Sequence, residues 1–75
     1  MLILSKDRKS LYNLYTINGL FVGKSNDGAG ATIVADITDG CVTMGEYPTE
    51  EAAIEELVKI ATEIDWKSLY KMGQE

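Results

Sequence analysis

Histidine is absent from this chain, cysteine occurs once (Cys41) and proline once (Pro48). Each scarcity closes a route. Without histidine there is no imidazole to activate a serine or cysteine, so the common nucleophile–base pairs cannot be assembled. A single thiol cannot close an intramolecular disulfide. Zinc sites built from four cysteines, or from two cysteines and two histidines, lack their ligands. One unpaired thiol also accords with a reducing compartment.

Long hydrophobic runs are missing too. The opening MLILSKDRKS carries three apolar residues after Met1, too few for a signal-peptide core. No stretch approaches the ~20 apolar residues of a membrane span. The expectation is a cytoplasmic protein with no membrane partner. Positive charge is scarce: seven Lys and Arg oppose twelve Asp and Glu, for a net charge of −5. An acidic domain is repelled by phosphate backbones, which disfavours direct generic binding to nucleic acid.

What is present fits one domain, residues 1–75. A chain this short hides only about 60% of the surface that it exposes when unfolded. With disulfide and metal staples excluded, good packing and self-association remain as stabilisers. A homodimer is the expected state.

β-branched and aromatic residues dominate the first half, and predict strands over about 2–5, 11–23, 31–38 and 41–47. Asn18-Gly19 reads either as a hairpin turn or as a point inside one longer strand, and the continuous strand is preferred. The glycine-rich GKSNDGAG (23–30) reads as a turn region. ATIVADI then alternates, and Asp39-Gly40 fits a type I′ turn. That turn sets Ile37 opposite Val42 and Ala35 opposite Met44, so Ile33, Ala35, Ile37, Val42 and Met44 share one apolar face.

Pro48 stops the last strand, Thr49 can cap a helix, and Glu50 and Glu51 suit its positive end. Ala53, Ile54, Leu57, Ile60, Ala61 and Ile64 recur at helical spacing and predict a core-facing stripe. A helix is expected over about 49–72, bent near 65, where the apolar face shifts to Trp66, Leu69 and Tyr70. Those three residues are the candidate interface, because Trp and Tyr bury large rigid area and keep a polar group. The expected fold is α+β: a small antiparallel β-meander of about four strands, followed by one C-terminal α-helix packed on one face.

Three chemical motifs come close and each fails on spacing. GLFVGKS resembles the end of a phosphate loop, but Gly19 and Gly23 have three residues between them where four are needed. Leu20, Phe21 and Val22 are strand formers. An EF-hand loop centred on Gly28 would place Gly23 and Val34 where ligands belong. The carboxylates Glu50/Glu51 and Glu55/Glu56 are adjacent in sequence, so they do not face each other on a helix. Cys41, on a strand beside a turn, reads as a buried or half-buried structural thiol. No catalytic residues, cofactor or metal are expected, and the chain reads as a non-enzyme.

The stretches MLILSKDRKSLYNL, INGLFV and IVADITDGCVTMGEYPTEEAAIEELVKIA, above all GEYPTEEAA, carry a resemblance. They make residues 1–64 similar to a family of very short, largely uncharacterised phage and prophage proteins of Gram-positive bacteria. The resemblance implies a phage or prophage accessory role in the bacterial host cell. The absent catalytic groups, the Trp66, Leu69 and Tyr70 face and the acidic helix add the expectation of protein–protein binding, with inhibition of a host defence factor as one form of it. Some small phage proteins with a similar opening look like sponges for signalling nucleotides. This implies an alternative role in small-ligand capture, for which Lys6, Arg8, Lys9 and Lys24 are the candidate anion-binding residues. A structural or assembly accessory role is the third reading.

Overall fold

The computed structural model describes residues 1–24, 30–64 and 68–73. The chain forms β1 (Leu2–Leu4), β2 (Leu11–Asn13), a 3-10 turn (Leu14–Thr16) and β3 (Gly19–Lys24). There follow β4 (Ala31–Ile37), β5 (Gly40–Tyr47), α1 (Glu50–Glu63) and β6 (Leu69–Lys71). The strands assemble two three-stranded sheets, ordered β2-β1-β6 and β3-β4-β5. The α+β class stands. The single four-stranded meander is replaced by two sheets, because the chain departs from the expected pattern at two places.

The first is Asn13. Its Oδ1 accepts from the Tyr15 amide at 3.0 Å, and Thr16 Oγ1 donates to its carbonyl at 2.8 Å. These local bonds give the backbone an alternative to a sheet ladder. They convert residues 14–16 into a 3-10 turn and cut the expected 11–23 strand into β2 and β3. Gly19 consequently opens β3; it forms neither a hairpin turn nor a mid-strand point.

The second is the C-terminus. α1 ends at Glu63, and residues 69–71 leave the helical path to pair parallel with β1, Ile3 opposite Tyr70. Leu69, Tyr70 and Lys71 read exposed, buried, exposed, the two-residue period of a strand. The Leu2 amide donates to the Ser68 carbonyl at 2.8 Å and the Met72 amide to the Leu4 carbonyl at 3.1 Å, so the pairing extends past both ends of the strand. The helix expected to reach 72 is thus a helix followed by a strand. The expected bend at Asp65 lies outside the described residues.

The β4–β5 hairpin forms with its faces as expected and its register displaced. Ile37 pairs with Gly40, Asp36 with Cys41 and Ala35 with Val42. The loop is therefore Thr38-Asp39, and Gly40 follows it at φ +140°, a conformation that favours glycine. Relative to the expected register, each β4 residue from Val34 to Ile37 meets a partner two positions earlier on β5. A shift of two preserves the alternation of faces, whereas a shift of one would have reversed it. Between Ile33 and Val34 the ladder carries a bulge, beyond which Ile33 meets Gly45 and Ala31 meets Tyr47. The bulge falls at Met44, whose carbonyl accepts from the Lys6 amide at 2.9 Å and ties the two sheets together.

Thr49 caps α1, its Oγ1 accepting from the Ala52 amide at 3.1 Å. The helix buries Ala53, Glu56 and Ile60, with Leu57 half-buried. The expected stripe is therefore rotated: Ile54, Ala61 and Ile64 are exposed, and a glutamate occupies the core line. Ile3, Ile33, Ala35, Met44, Tyr47, Tyr70 and Met72 complete the core between helix and sheets.

Candidate functional site

Two features of the small sheet stand out: a leucine-rich outer face and a carboxylate buried behind it. β1 alternates, so Ile3 points inward while Leu2 and Leu4 point outward. Register then decides their neighbours. Leu2 sits beside Leu69 of β6, and Leu4 beside Leu11 of β2. Cross-strand partners share a face. Four leucines thus occupy one side of three short strands. Leu2, Leu11 and Leu69 are exposed, Leu11 at 55%, and Leu4 is half-buried. Lys71 and Asn13 complete that face.

Behind it lies Glu56, only 4% exposed. Its Oε2 accepts from the Tyr70 hydroxyl at 2.6 Å and from the Gly73 amide at 3.2 Å. The Tyr47 hydroxyl donates to the Gly73 carbonyl at 3.4 Å, and Arg8 Nη1 to the Met72 carbonyl at 2.8 Å. Helix, hairpin and N-terminal turn therefore all grip the segment around β6. Burial pushes the Tyr47 and Tyr70 phenols well above the ordinary tyrosine range, and the Glu56 carboxylate pushes both further. Both phenols are held neutral and act as donors. The carboxylate is a latch for the C-terminal segment, buried because it is paired.

The N-terminal turn that carries Arg8 is built around Asp7. Asp7 Oδ1 accepts from Ser5 Oγ at 2.7 Å and from the Lys9 amide at 2.9 Å, and the Ser5 hydroxyl bond does most to hold its carboxyl below the usual range. Arg8 itself sits at φ +66°.

Of the candidate anion-binding residues, Lys6 donates to the Glu46 carbonyl and lies 4.1 Å from the Tyr47 ring centroid, a cation–π contact. Arg8 is engaged with the Met72 carbonyl. Lys9 is exposed on the same turn, and Lys24 ends β3 in the other sheet. Lys6 and Asp7 also line a depression of about 540 Å³ along Thr43–Glu46 of β5. Of the candidate interface residues, Leu69 lies on the outer leucine face and Tyr70 is turned into the core. Trp66 is outside the described residues. Cys41 is exposed rather than buried or half-buried, its Sγ 4.0 Å from Asp36 Oδ1. Among the described residues no three His, Cys, Asp or Glu side chains gather in a metal-holding group. No described helix is long and apolar enough to cross a membrane.

Glu56 had a signal in the sequence. It lies three residues after Ala53 and four before Ile60, in phase with buried positions. The leucine face had none, because LIL is apolar on both sides and only pairing shows which side is left open.

These observations define a small two-sheet α+β domain with a latched C-terminal strand and an exposed apolar sheet face. Comparison with protein-family models, curated proteins and solved structures finds no match to the chain.

Proposed function

We propose that the protein is a non-enzymatic accessory module of phage or prophage type that works in the bacterial cytoplasm by binding a host protein, a defence factor being one class of partner. The observation that carries this reading is the face formed by Leu2, Leu4, Leu11 and Leu69. Contiguous apolar surface of this kind marks interaction sites more often than it occurs by chance on a monomer. The sheet beneath it is pinned by the Glu56 latch, so the face is pre-organised and loses little entropy on binding. Small-ligand capture draws less support, because Lys6 and Arg8 already direct their head groups at backbone carbonyls.

The test uses the purified protein and a Leu11→Glu/Leu69→Glu variant as paired baits in host lysate, followed by direct binding of whatever is captured. A partner that binds the wild type and is lost from an equally stable variant supports the proposal. A partner held equally by both baits would sink it.

A further inference from the structure

The second sheet carries its own unpartnered surface, and the residues there specify what covers it. β3 stands at the edge of β3-β4-β5, and no described residue pairs with its outer side. An open edge offers a row of backbone donors and acceptors that natural proteins usually block with charge, proline or a covering element. From Gly19 to Gly23 this edge carries no charge and no proline, and no described strand covers it.

Its sequence is symmetric in side-chain size about Phe21: Gly19, Leu20, Phe21, Val22, Gly23. Leu20 and Val22 share the inner face with Ala35 and Ile33, and are half-buried. Gly19, Phe21 and Gly23 lie on the outer face, where Phe21 is 46% exposed. Antiparallel pairing of two copies about a two-fold axis at Phe21 sets Phe21 opposite Phe21, Leu20 opposite Val22 and Gly19 opposite Gly23. Apolar meets apolar on the inner face, and the glycines clear room for two rings on the outer one. The neighbouring registers fail. A slip of one residue would put the two helices on opposite faces. Centring the axis on Val22 would place Lys24 against Leu20, and centring it on Leu20 would place Asn18 against Val22.

The helix supplies a second, independent match. α1 runs antiparallel to β3: its start follows Tyr47, which lies across Ala31 from Lys24, and its last turns border Gly19 and Leu20. Glu56 marks the flank that faces β6. The opposite flank carries Ile54, Val58 and Ala61 at helical spacing, and Ala61 lines one groove with Gly19 and Leu20. All three are exposed, Val58 at 57%. The same two-fold axis brings these flanks towards each other on one side of a six-stranded sheet. A stable interface takes about 800 Å² from each partner, more than a six-residue edge offers, so the helix flank has to contribute.

We propose that the chain forms a two-fold dimer through β3, with Phe21 paired across the axis and Ile54, Val58 and Ala61 of the two helices in contact. This dimer uses a different sheet from the leucine face and does not rest on the functional proposal.

Sedimentation equilibrium tests it. The wild type is expected at twice 8.2 kDa, and Phe21→Lys and Val58→Lys at the monomer mass. Leu11→Lys, on the other sheet, is expected to remain dimeric. Circular dichroism checks that each variant is folded; Val58→Lys, on an exposed helix position, is the one chosen to survive if Phe21→Lys is not. A Phe21→Cys/Cys41→Ser protein reports the register: mild oxidation is expected to link two copies, whereas Leu11→Cys/Cys41→Ser is expected to stay unlinked. A monomeric wild type would overturn the proposal. So would a dimer that persists in folded Val58→Lys, or one in which Cys at position 21 never links.

Discussion

The Tyr70 hydroxyl donates to the Glu56 carboxylate at 2.6 Å, joining the middle of the only described α-helix to the last described strand. That bond explains why a glutamate occupies a core position and why the chain after the helix folds back against β1. A hydrogen bond to a charged group is worth about 1.5–3 kcal/mol, and a buried donor left without its acceptor loses a similar amount. Tyr70→Phe is therefore expected to destabilise the protein by about 2 kcal/mol in urea denaturation. Glu56→Ala strands both the Tyr70 hydroxyl and the Gly73 amide, and is expected to cost about 3 kcal/mol or more. Domains of this size have on the order of 4–11 kcal/mol in total. Equal stability of Glu56→Ala and wild type would show that the latch is decorative.

Alkali tests the same latch from the tyrosine side. The Tyr47 and Tyr70 phenols titrate above their ordinary value of 10.0 in the folded state. The folded state thus favours the protonated phenol. The resulting stability is complete below the unfolded value and is lost as pH rises through the folded one. Phenolate absorbance from these two residues is expected to emerge late, together with unfolding, and Tyr70→Phe should remove one late titration. Early, independent ionisation of both would contradict the burial.

Acid tests the N-terminal turn, with the opposite sign. Asp7 titrates below 3.8 when folded. Its contribution is present above the unfolded value and fades as pH falls through the folded one. Asp7→Asn is expected to be less stable than wild type at neutral pH, with the gap closing in acid. A gap that stays constant with pH would assign the effect to shape rather than charge.

Arg8 combines a favourable bond with an unfavourable backbone. Its guanidinium holds the Met72 carbonyl at 2.8 Å, while its φ of +66° lies in the region that glycine tolerates best. Arg8→Ala loses the bond and keeps the strain; Arg8→Gly loses the bond and relieves it. Thermal melts are expected to rank wild type above Arg8→Gly and Arg8→Gly above Arg8→Ala, the last two separated by about 1 kcal/mol. Inversion of those two would show that the turn is not strained.

Gly45 of β5 packs closely against Lys6 and Met72, the residues just past β1 and β6. A Cβ there would sit 2.7 Å from the Lys6 Cβ and 3.4 Å from the Met72 Cε. Gly45→Ala is expected to cost about 1–3 kcal/mol by overpacking. At Gly23 the same change meets only ordinary contacts, the nearest being Thr32 Oγ1 at 3.6 Å. Gly23→Ala should leave monomer stability nearly unchanged. Comparable losses at both positions in denaturant would show that the sheets do not meet at Gly45.

Local chemistry settled the elements whose signals are local. The Thr49 cap and the acidic first turn depend on neighbours within a few residues and are found where the sequence places them; the alternation of ATIVADI holds from Ile33 to Asp36, while Thr32 is buried along with Ala31 and Ile33. The faces of the β4–β5 hairpin between its turn and its bulge were legible although the register was not, because the displacement there was by two and side-chain alternation has a period of two. Tertiary structure decided the rest. Leu69–Lys71 has apolar residues compatible with a helix or a strand, and only the free edge of β1 and the Glu56 acceptor select the strand. The helix stripe turned away from Ile54 because the latch had to face β6. Propensity is weak over three residues, and one sheet edge with one buried hydrogen bond outweighs it.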